Sequence, residues 1–312
     1  MKNFNAGSHF FPIPHSTFHI FLYFCNMNNK DYADGLQTLQ QHMLQILTEV
    51  DRVCQTHGIR CYLCDGTMLG AVRHGGFIPW DDDADVCMPR PDYERFMLHA
   101  REWLPQPLEA RCYESDPTYP GAFGKIIDSS TTLVEREHYA YVGGVYIDVF
   151  PIDGMSASRW AQRRQLWKYK MYNRLIYLLH RNPYKHGHGV SSWLTLLVRK
   201  FVKHKNLQTA LRKTMLRYDF DQCDLCVNYD DAWRGIMPKT CYGRPTPVTF
   251  EGQKLMGVEQ TNAYLTNTYG DYMTIPPHED RRQHNFFFLD YHQSYHDYND
   301  PRAFVRQIPH QL

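Results

Sequence analysis

Within residues 63–93 this chain sets four aspartates in five positions, Asp81, Asp82, Asp83 and Asp85, and brackets them with apolar residues. Phe77-Ile78-Pro79-Trp80 leads in and Val86-Cys87-Met88 leads out, which is the pattern of a strand entering a core rather than of a solvated acidic loop. Carboxylates crowded at the edge of a core repel one another, so the fold must bring something cationic to them. A divalent metal with a phosphate behind it meets that need. Residues two apart on a strand share a face, so Asp83 and Asp85 are expected to grip one cation together, and an all-oxygen donor set suits magnesium.

The rest of the chain supplies a setting for that segment. Leu36, Leu39, Met43, Ile46, Leu47, Val50 and Val53 recur at three- and four-residue steps and predict one long amphipathic helix ending near Gly58. Residues 60–64 read as a strand, 65–67 as a tight turn, and 68–73 as a short helix in which Gly70 allows close packing. Pro91 suits the first turn of a helix over 92–104. Strands follow over 108–113, 122–127 and 145–150. The last is apolar and β-branched enough to be buried, yet it carries Asp148. A buried aspartate must be paired, hydrogen-bonded or bound to metal, and beside Asp83 and Asp85 it reads as a third metal ligand. A hairpin over 248–255 and a helix over 259–268 come later, and no element is assigned past residue 284.

Charge is unevenly spread. The formal net charge is +1, but residues 156–218 carry 15 Lys or Arg and no Asp or Glu, where the chain average would place about seven acids. This block is helical in pattern, with breaks expected at 182–183 and 186–189. It favours an anionic partner, such as a phosphorylated glycan or a membrane surface. Nucleic acid is not expected, since no reading motif accompanies the charge. The nine cysteines form no short-domain framework and indicate reduced thiols and a cytoplasmic setting. Cys61 and Cys64 read as core packing. Cys223, Cys226 and Cys241 leave a small zinc site as the lesser alternative to free thiols. No apolar run is long enough to span a membrane, and residues 18–25 lack the flanks of a signal peptide.

The expected fold class is α+β: a mixed sheet with flanking helices, plus a basic helical subdomain. Residues 1–30 read as a disordered extension, 31–155 as a catalytic core, 156–240 as the basic subdomain, 241–290 as a return to the catalytic domain, and 291–312 as a tail. A glycine turn after a strand, paired acids on the next strand and a single acid on a third together describe a nucleotidyltransferase-type metal site.

The stretch D-G-T-M-L-G-A-V-R-H-G-G-F-I-P-W-D-D-D-A-D-V-C-M-P-R-P-D-Y closely resembles the signature of the LicD family, the bacterial phosphocholine transferases related to fukutin-type ribitol-phosphate transferases. Lys125 in G-K-I-I-D, Y-I-D-V-F-P-I-D at 146–153, F-E-G at 250–252 and Y-L-T-N-T-Y-G-D-Y-M-T-I-P-P at 264–277 continue it. The resemblance implies a phosphotransferase, dependent on magnesium or manganese, that moves phosphocholine from a nucleoside-diphosphate-activated donor such as CDP-choline. The implied acceptor is a hydroxyl of an anionic or lipid-linked surface glycan, in lipopolysaccharide, capsule or teichoic acid. Asp83, Asp85 and Asp148 would hold the metal, and Asp148 would orient or deprotonate the acceptor hydroxyl. Gly66 and Thr67 would offer backbone amides to donor phosphates, while Arg73 and Lys125 neutralise their charge. Trp80 would brace the acidic strand or stack on a donor group, and Asp81, Asp82 and His284 would support the site. The alternatives are a nucleotidyltransferase that releases pyrophosphate, or a non-catalytic glycan or membrane-surface binder on the same fold.

Overall fold

The computed structural model describes residues 29–281, 283 and 286–299, so most of the expected N-terminal extension, most of the tail and His284 lie outside the described residues. Helix α1 (Asn29–Thr56) buries all seven of the apolar positions that predict it, laying one stripe on the sheet. Strand β1 is only Tyr62–Leu63, and helix α2 (Asp65–His74) begins three residues earlier than its apolar pattern suggests. The reason is local. Cys64 is extended and Asp65 takes a positive φ of 46°, so the sharp reversal read as a separate turn is the first turn of the helix. Gly70 lets α2 fold onto the loop that follows, since a Cβ there would stand 2.4 Å from the Gly76 carbonyl oxygen.

Strand β2 (Asp85–Pro89) leads directly into α3 (Arg90–Trp103). With β3 (Leu108–Arg111), β4 (Gly124–Asp128) and β6 (Tyr146–Met155) it forms a mixed sheet in the order β1-β2-β6-β4-β3. The β2–β6 pair is parallel and the remaining pairs are antiparallel. Strand β6 runs five residues past the expected end, through Pro151. A proline can sit there because β4 pairs with the first half of that edge and β7 (Leu225–Asn228) with residues 152–155, leaving residue 151 in the gap between them. Strand β8 (Ile236–Pro238) extends the sheet beyond β7. Strand β5 (Thr132–Val134) pairs with β11 (Phe288–Asp290), so the unpatterned end of the chain returns to the fold. The hairpin β9 (Thr246–Phe250) and β10 (Gln253–Gly257) and helix α7 (Thr261–Tyr269) match their sequence patterns to within a few residues.

The basic block folds as α4 (Arg159–His180), α5 (Val190–Phe201) and α6 (His204–Met215), with the main break where the Asn-Pro and Gly-rich stretches predict it. These helices close a second apolar cluster around Leu166, Tyr169, Leu179, Leu207, Leu211 and Met215, distinct from the larger core between α1, α3 and the sheet. A buried two-pronged ion pair, from Arg90 Nε and Nη2 to Asp153 at 2.7 and 2.8 Å, ties the start of α3 to the far end of β6. Among the described residues no helix is long and apolar enough to cross a membrane.

His180, at the end of α4, is 2% exposed, and neither ring nitrogen has a hydrogen-bond partner among the described residues. Burial, reinforced by His204 and Arg199, pushes its pKa down to about 3. The folded state therefore holds it neutral while the unfolded chain protonates it below its ordinary pKa, so its stabilising contribution is complete above that value and is lost as pH falls. Acidification from pH 7 to 5 should destabilise the protein by about 2 kcal/mol through this residue. Urea titrations at the two pH values should show His180→Phe losing that increment of acid sensitivity, and an unchanged pH slope would refute the assignment.

Candidate active site

The strand register assembles the site. Asp85 on β2 lies opposite Asp148 on β6, and Asp148 lies opposite Lys125 on β4, so the three stand in one row across adjacent strands. Directly paired residues project from the same face of a sheet. Asp83 lies in the extended segment just before β2, not on the strand itself, and with Asp85, Lys125 and Asp148 it lines one cavity of about 400 Å³. The Asp85 amide donates to Thr67 Oγ1 at 2.7 Å, which fixes the start of β2 against α2.

Seven carboxylates and two cations, Lys125 and Arg136, line this cavity, so its charge is strongly negative. Lys125 Nζ is 2.8 Å from Asp148 and 3.1 Å from Glu135, and stands 3.3 Å from the centre of the Tyr146 ring. Burial opposes its charge, yet the two carboxylates hold its pKa above the ordinary lysine value. Burial likewise pushes Asp148 up, to about 6, against the pull of Lys125. Glu135 is held below the usual range despite burial, by Lys125 and a hydrogen bond with Tyr146. Asp85 has no such relief: burial drives it well upward, and Asp83, Asp65, Asp148 and Asp81 all add to the shift.

A second acidic group completes the floor. Asp65 is pushed well up by burial and then by Asp231, with which it shares a hydrogen bond. Asn228 Nδ2 reaches Asp65 at 3.1 Å and Asp231 at 3.4 Å, and the Tyr264 hydroxyl donates to Asp65 at 2.9 Å. Among the described residues, no three His, Cys, Asp or Glu side chains close into a ready-made metal cage. What the cavity offers instead is hard oxygen donors from one or two carboxylates at a time. That donor set fits magnesium or manganese, which take one or two protein carboxylates and complete their shell with water and substrate phosphate.

Aromatic rings line the same cavity as the acids: Tyr119, Phe123, Tyr139, Tyr141, Tyr146 and Phe150, joined by Tyr177 from α4. The basic helical block therefore contributes directly to the cavity. Asp65, Glu135, Asp230, Asp231 and these tyrosines are among the lining residues that the sequence reading does not single out.

The other described residues anticipated from the sequence do not line this cavity. Thr67 is buried and engaged with Asp85, and Gly66 faces Asp81, whose Oδ2 would be 2.9 Å from a Cβ at that position. Arg73 donates to the Tyr272 carbonyl at 3.0 Å. Trp80 carries the Arg281 guanidinium 4.1 Å above its ring and lines a separate, larger cavity of about 630 Å³ with Gln40, Glu251, His278 and Gln283. That cavity holds a single carboxylate, and the reactive groups are gathered in the smaller one. Asp82 is buried, and the Asp81 carbonyl accepts from Gln40 at 2.9 Å. Cys61 and Cys64 are buried in the main core, and burial holds Cys226 as a thiol pointing at the Met237 carbonyl.

Residues 58–174 match the family described as LicD/FKTN/FKRP, nucleotidyltransferase domain. That span holds Asp65, Asp83, Asp85, Lys125, Glu135 and Asp148 together with most of the ring wall. This chain carries a LicD-family domain. Beyond the domain, the chain is 28% identical over 272 residues to the lipopolysaccharide cholinephosphotransferase LicD of Haemophilus influenzae, an alignment covering 80% of this chain and 96% of the relative. Shorter matches, 34% identical over 64 residues and 20% of this chain, link it to uncharacterised proteins of Rickettsia prowazekii and Rickettsia typhi, covering 23% and 19% of those relatives. Asp230 and Asp231 lie outside the LicD-domain span and reach the cavity from the segment after β7.

Lys125 is the structural counterweight of this site. Lys125→Met should leave Asp148 and Glu135 buried without their cation and lower unfolding free energy by about 3 kcal/mol in a urea titration at neutral pH. Adding Glu135→Gln should recover part of the loss. A cost below about 1 kcal/mol would show that the pair is not holding β4 and β6 together.

Proposed function

We propose that this protein is a divalent-cation-dependent phosphotransferase that moves phosphocholine from a nucleotide-activated donor, CDP-choline, to a hydroxyl of lipopolysaccharide or a similar cell-surface glycan. The observation that carries this reading is the meeting, in one cavity, of seven carboxylates with a set of aromatic rings. Phosphocholine presents two unlike ends, an anionic phosphate and a quaternary ammonium. A cation held by carboxylates suits the first, and tyrosine faces suit the second through cation–π attraction. The relationship to a lipopolysaccharide cholinephosphotransferase over most of both chains supports the same substrates.

In this reading Asp83 and Asp85, with Asp148 beside them, hold magnesium or manganese, which when bound neutralises charge on the donor phosphates. Lys125 keeps Asp148 ionised and adds a positive charge at the edge of the phosphate site. Asp148 orients the acceptor hydroxyl and takes its proton as the acceptor oxygen bonds to the choline-bearing phosphorus. The bond from that phosphorus to the bridging oxygen breaks, and CMP leaves with that oxygen. Tyr139, Tyr141 and Tyr177 surround the ammonium end and exclude water from it. Asp65 and Asp231, sharing a hydrogen bond, keep the helix N-terminus at the cavity floor in place.

Purified protein incubated with CDP-choline, magnesium and unsubstituted lipopolysaccharide should release CMP and add the mass of phosphocholine to the glycan. Asp83→Asn and Asp85→Asn should each lower that turnover at least about a hundredfold. Their melting temperatures should be equal to or above the parent's, because each removes a charge from a crowded cluster. Turnover only with nucleoside triphosphates, with pyrophosphate released, would replace this reading with nucleotidyl transfer.

A further inference from the structure

Helix α5 is built inside out. Ser192, Thr195 and Val198 are its buried residues, and the Arg181 guanidinium donates to Ser191 Oγ and Thr195 Oγ1, each at 2.9 Å. Its large apolar side chains face outward instead: Val190, Trp193 and Phe201 are 87%, 74% and 71% exposed, with Leu194 and Leu197 more than half exposed between them. These five recur at three-, four- and seven-residue steps, so they form one stripe opposite the buried side of the helix. A continuous apolar stripe left in water marks a contact surface.

The surroundings specify what makes the contact. Lys185 before the helix and Lys200, Lys203 and Lys205 at its far end are exposed, and residues 156–218 contain no acid at all. Apolar side chains framed by cations match the boundary of an anionic bilayer: rings and leucines enter among the acyl chains while lysines extend to headgroup phosphates. Twelve residues of helix span only about 18 Å, well short of a hydrocarbon core of about 30 Å, so the helix would lie in the plane of the surface. We infer that α5 docks this protein on a membrane bearing anionic phospholipid headgroups. The helix is fastened to the end of α4, where Arg199 donates to the Leu179 and Arg181 carbonyls. That is one turn past Tyr177 of the cavity wall, so docking through α5 holds the active-site wall near the lipid surface. Docking through α5 does not depend on the identity of the donor.

Full-length protein and the double variant W193S/F201S, altered only at exposed positions, are to be sedimented with vesicles of phosphatidylcholine alone and with phosphatidylglycerol added. The parent should partition onto the mixed vesicles, show blue-shifted tryptophan emission and release as salt rises. The variant should bind at least about tenfold more weakly with an unchanged thermal melt. Equal partition of parent and variant overturns the inference. So does failure of the parent to partition, whether the stripe is covered by residues 1–28 or by a second copy, the latter seen as a dimer that W193S/F201S dissociates.

Discussion

The parallel pairing of β2 with β6 is the constraint on which the rest of the structure depends. Its register sets Asp85 against Asp148, and the antiparallel register on the other edge of β6 sets Asp148 against Lys125. Two strand acids thus become neighbours inside a buried sheet, where charge is costly unless it is balanced. Lys125 balances Asp148 and Glu135. Asp85, surrounded by further carboxylates, is left wanting a cation that the described side chains do not supply in comparable measure. A fold that stores unbalanced negative charge at one end of its central strands is prepared for a cationic ligand and the phosphates that travel with it.

The supports of this arrangement lie a shell further out. Thr67 fixes the start of β2, the Arg90–Asp153 pair fixes its continuation into α3, and β7 takes over from β4 along the edge of β6 at the proline gap. The helical block lies between β6 and β7 in sequence, and from it Tyr177 of α4 reaches the cavity, while Asp230 and Asp231 reach it from just beyond β7. The helices are therefore not an appendage to the carboxylate site. They close one side of it and carry the exposed apolar stripe of α5.

Much of this was legible in the sequence where a local pattern carried the information. The seven apolar positions of α1 are all buried because a helical repeat needs no distant partner to be recognised. Asp83 and Asp85 stood out as part of an acidic cluster bracketed by apolar residues, and Asp148 because it interrupts an apolar run; one cavity receives all three. Asp65 was hidden by its neighbours, since Asp-Gly-Thr reads as turn chemistry and only the positive φ at Asp65 makes it a helix start. Glu135, Asp230 and Asp231 sit in stretches with ordinary polarity, and their place in the site follows from strand pairing over long separations that periodicity does not encode. The β5–β11 pair was illegible for the same reason, with three-residue strands more than 150 positions apart.

The central claim is that the Asp85–Asp148 row, with Asp83 beside it, binds a divalent cation together with a nucleotide phosphate. Electron paramagnetic resonance of free Mn2+ titrated with the protein tests it most directly, with and without CDP. One bound ion per chain, held at least about tenfold more tightly when CDP is present and released in Asp85→Asn, is the predicted result. Binding that ignores both CDP and the Asp85→Asn substitution would contradict it.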